Sequence, residues 1–134
     1  PATAMVLAEK VAQGEFVVIA GDRVPVSPQP RVARASFLGR IAPFPIGPYV
    51  MAALLQCPVY LMFSRRSAEG AEVSFEAFRE RIVLPRKQRD EVLAELASAY
   101  AARLEAHCLQ APYQWFNFYD FWADSALDEH HASH

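Results

Sequence analysis

Two charged residues, Asp22 and Arg23, come directly after Gly21 and are the first candidates for chemistry along this sequence. It comes directly after the apolar run Phe16–Ala20, which predicts a buried strand, and open parallel sheets form their ligand crevices beyond the carboxyl ends of strands. A carboxylate such as Asp22 can orient a base or a substrate hydroxyl there, or pair with Arg23. The same spacing fits a turn in which Asp22 caps backbone N–H groups, so both interpretations stay open.

A second candidate is the segment Ser36–Arg40, which precedes Pro45–Pro48 and a predicted helix. Helix N-termini attract anions, but Pro48 lacks the backbone N–H that a phosphate cradle would use. Tight turns leading into the helix explain the same residues, and the sequence has neither a GxGxxG nor a Walker pattern. Arginines flank the predicted strand ends, where they either attract an acidic partner or phosphorylated headgroup or are simply solvated. They are Arg31, Arg34, Arg40, Arg65 and Arg66.

His107 lies near the apolar stripe of the last predicted helix. It fits a helix C-terminal cation or a partly buried histidine better than a catalytic base. The sequence has no GxSxG nucleophile elbow. Cys57 and Cys108 lie in apolar patterns without CxxC spacing, which indicates buried thiols of a reducing compartment rather than a zinc site. We therefore predict no metal and no cofactor, and the residues alone reveal no complete catalytic centre.

The elements that would position these residues predict an α/β fold with a mostly parallel sheet flanked by helices. A helix over Ala2–Gln13, ended by Gly14, and the buried strand Phe16–Ala20 would form half of a βαβ unit. A strand over Arg34–Gly39 and a second buried strand over Val59–Phe63 would extend the same sheet.

Prolines interrupt the middle of the chain. Val24–Pro30 contains Pro25, Pro28 and Pro30, and this composition predicts an extended loop. The prolines of 43–48 are expected to exclude regular structure. Tyr49–Gln56 is predicted to be an apolar helix with a proline near its first position.

Two amphipathic segments follow. In Glu72–Phe78, apolar Val73 and Phe75 alternate with polar residues, which predicts a half-exposed strand, antiparallel or at a sheet edge, with the apolar set covered. Pro85–Gln110 is predicted to be the longest helix, because apolar residues recur at i+3 and i+4 while charged residues such as Arg103 mostly face water. Its apolar stripe consists of Leu93, Leu96, Tyr100, Leu104 and Cys108.

Length and composition suit one domain. The chain has 134 residues and a formal net charge of −2, which excludes a globally basic nucleic-acid binder. No stretch approaches the roughly 20 apolar residues that span a bilayer. Because the sequence opens on Pro1 and enters a helix at once, we expect a soluble piece cut from a longer protein. The tail 123–134 is expected to be polar and frayed.

The segment Trp115–Trp122 holds six aromatic residues in eight positions. Such a run must be buried, lie against a partner or touch a membrane, because it carries a large apolar area. Helix and strand periodicities both leave aromatic rings on opposite faces, so one packed face cannot cover them all. Trp115, Phe116 and Trp122 are therefore candidates for membrane or packing contacts.

Three blocks occur in order: Val17–Arg23, Ser36–Gly39 continuing through Phe44–Pro48, and Tyr113–Trp122. Together they resemble the bacterial lipid A biosynthesis acyltransferase family, of the lauroyl/myristoyl transferase type, from about Ala2 to Trp122. The resemblance implies an α/β acyltransferase domain on the cytoplasmic face of the inner membrane. Such enzymes move a fatty acyl chain from an acyl carrier protein thioester to a hydroxyl of a glycolipid.

The resemblance also implies roles for individual residues. The pair Asp22 and Arg23 matches the family's Gly-Asp block and would lie near the active site, and the second block would shape the acyl or acceptor site. The implied substrate-binding residues are Asp22, Arg23, Phe37, Leu38, Gly39 and Arg40.

The family's catalytic motif is H-x-x-x-x-D/E, in which the histidine is the general base and the carboxylate orients it. This sequence lacks it, since Pro112 stands five residues after His107, and in the family the motif lies N-terminal to the Gly-Asp block. We therefore expect 1–122 to be the C-terminal portion of an acyltransferase domain, inactive alone and able to dimerise through a cut sheet edge. The alternative is a non-catalytic module that binds acyl chains or a membrane surface.

Overall fold

The computed structural model describes residues 2–24 and 31–111. The predicted loop beyond Val24, the aromatic run with Trp115, Phe116 and Trp122, and the tail 123–134 lie outside these residues. The helices and strands are α1 Ala2–Ala12, β1 Val32–Phe37, β2 Arg40–Pro45, α2 Gly47–Leu55, β3 Val59–Ser67, β4 Gly70–Arg79 and α3 Arg89–Gln110. The four strands form two separate antiparallel hairpins, β1–β2 and β3–β4.

The predicted mostly parallel sheet is therefore wrong. Only two residues, Leu38 and Gly39, separate β1 from β2, and only Ala68 and Glu69 separate β3 from β4. A connection this short reverses the chain, whereas a parallel pair needs a crossover of a dozen or more residues. We predicted that the apolar runs pair with one another in a single sheet. Instead, each strand pairs with the strand next to it along the chain.

The predicted buried strand Phe16–Ala20 is also wrong. These residues are neither helical nor extended in a ladder, and the side chains of Phe16 and Val18 are 91% and 76% exposed. A strand requires a neighbour that pairs with its backbone, and no strand of the described chain pairs with this run. Apolar composition alone cannot distinguish a buried strand from an uncovered apolar segment.

Prolines do not exclude regular structure from β2, contrary to our prediction. The Ile46 N–H donates a hydrogen bond to the Arg31 carbonyl at 3.4 Å. N–H groups along a strand point alternately to either side. Since the N–H of Ile46 points toward β1, the backbone nitrogens of Pro45 and Pro43 point away from it. Proline is tolerated there because no ladder hydrogen bond is lost.

The predicted helices are confirmed with shifted ends. The first helix, α1, ends at Ala12 before Gly14, whose φ is 86°, and α2 begins at Gly47 with Pro48 in its first turn. Helix α3 begins at Arg89 rather than Pro85. Gln88 precedes it without a side-chain cap, and residues 85–88 form a turn in which the Gln88 N–H donates to the Pro85 carbonyl at 3.1 Å.

The core lies between α3 and the β1–β2 hairpin. The predicted apolar stripe of α3 is confirmed, since Leu93, Leu96, Leu104 and Cys108 are buried and Tyr100 packs against them. Small residues at the interface let the helix approach the hairpin closely, and Phe37 and Phe44 fill the remaining space with fully buried rings. These small residues are Ala33, Ala35, Ala42, Ala97 and Ala101.

The β3–β4 hairpin is oriented opposite to its sequence pattern. Val73 and Phe75 are 53% and 69% exposed, while Ser74, Glu76 and Phe78 on the same strand are half-buried. The predicted full burial of Val59–Phe63 is likewise wrong, since Leu61 is buried but its neighbours Tyr60 and Met62 are exposed. The reason is that the side of β4 bearing Glu76 meets charged partners on α3.

Phe44→Ala should lower the free energy of unfolding by about 3–5 kcal/mol, because it removes a fully buried ring. The Phe44 ring packs edge-on against Phe37 and Tyr100, with centroid distances of 5.9 Å in both cases. The control Phe16→Ala, at a ring that is 91% exposed, should change the free energy of unfolding by no more than about 0.5 kcal/mol. Urea denaturation measures both, and equal effects would contradict this core.

Candidate functional site

Several polar and ionisable groups of the described residues lie on, or contact, the last three turns of α3. Helical spacing puts Tyr100, Leu104 and Cys108 on one face, because each lies four residues from the next. Arg103 and His107 form a second i, i+4 pair on the adjacent face. The two faces meet different parts of the protein, so this helix segment joins both hairpins.

Glu76 on β4 binds both members of the second pair. Arg103 donates two hydrogen bonds to its carboxylate, Nε to Oε2 and Nη2 to Oε1, each at 2.7 Å. His107 Nε2 lies 2.8 Å from Oε1. These hydrogen bonds lower the pKa of Glu76 from its usual 4.5 to about 2. The bonds from Arg103 have the larger effect, and the bond with His107 has the next largest.

A cavity of about 390 Å³ opens beside His107, between the end of α3 and β3–β4. The His107 ring stacks on Phe63, with centroids 3.9 Å apart and an interplanar angle of 19°. Leu104 and Cys108 supply apolar wall, and Arg65 lies at the rim, where Glu72 binds it at 2.9 Å. The cavity can hold a small amphipathic group, with an imidazole fixed in one wall.

The Gly21-Asp22 segment contacts the face of α3 that carries Tyr100. A Cβ atom at Gly21 would lie 3.1 Å from Cζ of Tyr100, so glycine permits a close approach that any side chain would crowd. Burial, and next the charge of Asp22, raises the pKa of Tyr100 well above its usual value. The same two causes raise the pKa of the Cys108 thiol to about 11. Cys108 is therefore a protonated thiol at neutral pH and a poor nucleophile.

The second sequence block forms the β1–β2 turn and also reaches α3. Leu38 and Gly39 both have positive φ, 50° and 83°, as a two-residue type I′ turn requires. The Leu38 N–H donates to Glu105 Oε1 at 2.6 Å. Phe37 is fully buried in the core, whereas Arg40 is exposed at the start of β2. The turn is thus anchored to the helix by its backbone.

The six residues that resemblance assigns to substrate binding are only partly brought together. Asp22 acts electrostatically on Tyr100 and Cys108, and Leu38 is bonded to Glu105 one turn along. Arg23 is exposed and Phe37 is a core residue. The two blocks therefore meet the same helix segment, while their side chains do not all face one crevice.

Buried Tyr49 on α2 adds an unpaired polar atom to this region. Its hydroxyl has no hydrogen-bond partner among the described residues, and burial raises its pKa. Tyr49 is electrostatically coupled to Tyr100. A buried hydroxyl without a partner is costly, so it is available to a ligand or water that reaches it.

Sequence reasoning missed the cluster of Glu76, Arg103 and His107. We predicted that Arg103 faces water, that His107 is a cation at the end of its helix, and that Glu76 lies on the exposed side of its strand. The available signal was the i, i+4 spacing of Arg103 and His107, which places both side chains on one face of α3, where a single carboxylate can bind both. Which strand supplies that carboxylate depends on packing that no local pattern encodes.

Within residues 2–24 and 31–111, no three His, Cys, Asp or Glu side chains are grouped as metal ligands would be. Over the same residues, none of the helices has both the length and the apolarity needed to traverse a bilayer.

Comparisons with known proteins identify no relative: no protein-family model, no curated protein and no solved structure matches this chain.

Acid titration should reveal the Glu76 cluster. A lowered carboxyl pKa stabilises the fold above the unfolded-state value near 4.5, and this contribution is lost as the pH falls from there to about 2. Glu76→Gln should lower the free energy of unfolding by about 1 kcal/mol at pH 7, a modest value because the side chain is partly exposed and water screens the pair.

The difference between wild type and Glu76→Gln should shrink steadily over that acid range in urea denaturation. The control Glu91→Gln, at an exposed position in the first turn of α3, should differ from wild type by a constant small amount. A Glu76→Gln difference that does not depend on pH would rule out the ion-pair assignment.

Proposed function

We propose that this chain is part of an acyltransferase that moves a fatty acyl chain from an acyl carrier protein thioester to a hydroxyl of a lipid A-like glycolipid, at the cytoplasmic face of the bacterial inner membrane. The support from sequence is the order of three blocks, Val17–Arg23, Ser36–Pro48 and Tyr113–Trp122. Their joint occurrence is more specific than any one of them. The chain would supply substrate-binding surface and not the general base.

The observation that carries the proposal is the convergence of the first two blocks on α3. A Cβ atom at Gly21 would lie 3.1 Å from Cζ of Tyr100, and the Leu38 N–H donates a hydrogen bond to Glu105 Oε1 at 2.6 Å. Two loops from different parts of the chain thus contact the same segment of α3, and the charge of Asp22 acts on Tyr100 and Cys108 of that segment. Such a convergence of loops on a rigid element is typical of binding sites.

The chemistry requires groups beyond these. The acceptor hydroxyl attacks the thioester carbonyl, the carbon–sulfur bond breaks, the carrier thiol leaves, and a base takes the hydroxyl proton. His107 is not our candidate, since Pro112 stands five residues after it, where the family's motif has Asp or Glu. The base would come from an H-x-x-x-x-D/E segment elsewhere in the full protein, and Asp22 would orient the acceptor hydroxyl.

Asp22→Asn in the full-length protein should lower kcat/KM for acyl transfer at least tenfold, because the amide keeps the shape of the carboxylate but loses its charge. The assay uses an acyl carrier protein thioester and a lipid A-like acceptor. Glu91→Gln, an exposed carboxylate on α3, is the matched control and should retain wild-type kinetics. Transfer that is absent from the wild-type protein would refute the acyltransferase proposal, and an active Asp22→Asn variant would remove Asp22 from it.

A second candidate function is a non-catalytic module that binds acyl chains or a membrane surface. The observation in its favour is the amount of apolar side chain left in water, including Phe16 at 91%, Val18 at 76% and Phe75 at 69% exposure. Soluble monomers rarely leave large apolar side chains grouped on their surface without a partner.

For this module, Trp115→Ala combined with Trp122→Ala should weaken binding to lipid vesicles at least tenfold, because tryptophan contributes strongly at the membrane interface. Co-sedimentation with vesicles measures the loss. Trp115→Phe with Trp122→Phe keeps aromatic area and should preserve most of the binding. Equal binding by wild type and the alanine variant would count against a docking role for these two residues.

A further inference from the structure

The cavity between the end of α3 and the β3–β4 hairpin has no role in the acyl transfer proposed above. Its volume is about 390 Å³, within the range of roughly 300–1,000 Å³ that small-molecule sites occupy. None of the six residues that the resemblance assigns to substrate binding lines it. Phe63, Leu104 and Cys108 supply apolar wall, and His107 supplies an imidazole that is 21% exposed. The cavity is therefore a separate candidate for holding a ligand.

Glu76 fixes which nitrogen of the His107 ring carries a proton. The pKa of Glu76 is about 2, so its carboxylate is ionised at neutral pH and can only accept hydrogen bonds. His107 Nε2, which lies 2.8 Å from Glu76 Oε1, must therefore be the donor. In the neutral imidazole the other nitrogen, Nδ1, then carries a lone pair and is an acceptor. Within the described part of the chain, the His107 ring makes no hydrogen bond other than the one to Glu76.

The His107 ring is also held in its orientation. Glu76 does not line the cavity, whereas His107 does, so Nε2 is turned to a residue outside the cavity wall. Arg103 holds the carboxylate of Glu76 in place through two hydrogen bonds of 2.7 Å. A ligand in the cavity thus meets an imidazole that cannot turn without breaking its bond to Glu76.

The charges in the cavity wall are paired, and this pairing favours a neutral ligand. Arg65 Nε lies 2.9 Å from Glu72 Oε2, and Arg65 Nη1 donates to Gln110 Oε1 at 3.1 Å. A charged ligand would have to displace one of these partners. A pure hydrocarbon fits poorly as well, because it would cover Nδ1 of His107 without giving it a hydrogen-bond donor.

We propose that this cavity binds a small neutral molecule with a hydroxyl group on an apolar body, an alcohol or a phenol, whose O–H donates to Nδ1 of His107. The apolar body of the ligand packs against Phe63 and Leu104, where it replaces water on apolar surface. The hydroxyl gives the fixed acceptor the one donor that it lacks. This binding site goes beyond the proposed acyl transfer and does not depend on it.

The test compares phenol with toluene, which has nearly the same size but a methyl group in place of the hydroxyl. Titrations of the full chain followed by NMR give both affinities. His107→Phe keeps a ring that can stack on Phe63 but has no nitrogen, so the ratio of phenol affinity to toluene affinity should fall at least fivefold relative to wild type. The matched control is Leu109→Ala, a position on α3 that is 68% exposed and outside the cavity wall, where the ratio should stay at the wild-type value.

Nitrogen chemical shifts of the His107 ring give a second readout that needs no variant. They report which ring nitrogen carries a proton, and they are recorded at a pH where they show the imidazole to be neutral. The proposal expects an unprotonated Nδ1 whose resonance shifts with phenol and not with toluene. An Nδ1 resonance that ignores phenol overturns the proposal, even where His107→Phe fails to fold. Absence of phenol binding at millimolar concentration, or a ratio that is unchanged in His107→Phe or falls equally in Leu109→Ala, overturns it as well.

Discussion

Burial of one stripe of α3 is the constraint on which the rest of the structure depends. A two-stranded hairpin is marginally stable alone in water, and the described residues form two of them with no hydrogen bond joining their ladders. The helix covers the β1–β2 hairpin with Leu96, Ala97 and Ala101 and meets the inner side of β3–β4 through Phe63. Removing α3 would leave both hairpins without a core.

The same helix decides where charge is placed. Arg103 and His107 attract Glu76 to the inner side of β4, and the alternation of side chains then sends Val73 and Phe75 outward. A charge-assisted, bidentate hydrogen bond in a partly screened site competes here with burial of two apolar side chains. The outcome is a hairpin whose carboxylates Glu72 and Glu76 are paired within the fold and whose apolar side chains Val73 and Phe75 are exposed.

A protein that modifies lipids must bring a polar reacting centre close to an apolar surface. The described residues offer both kinds of group: Gly21 approaches Tyr100 of α3, the Leu38 N–H donates to Glu105 of the same helix, and apolar side chains such as Phe75 are exposed. Cys108, also on α3, is a protonated thiol, because burial and the charge of Asp22 raise its pKa to about 11.

Local signals sufficed wherever a residue's neighbours along the chain supply its interactions. The helices α1 and α2, the apolar stripe of α3 and the existence of strands over β1, β3 and β4 all follow from periodicity, glycine and proline. The positive φ angles of Leu38 and Gly39 were not predicted, because Leu38 is an unusual residue for a type I′ turn.

The direction of the strands, the facing of β4 and the partner of Glu76 were settled only in three dimensions. A strand with alternating side chains can present either side to a core, and sequence favours the apolar side because burial is favourable on average. Here the alternative prevails, because Arg103 and His107, spaced one turn apart on α3, both bind the carboxylate of Glu76. Periodicity is a property of neighbours along the chain, whereas the choice between two faces belongs to whatever packs against them.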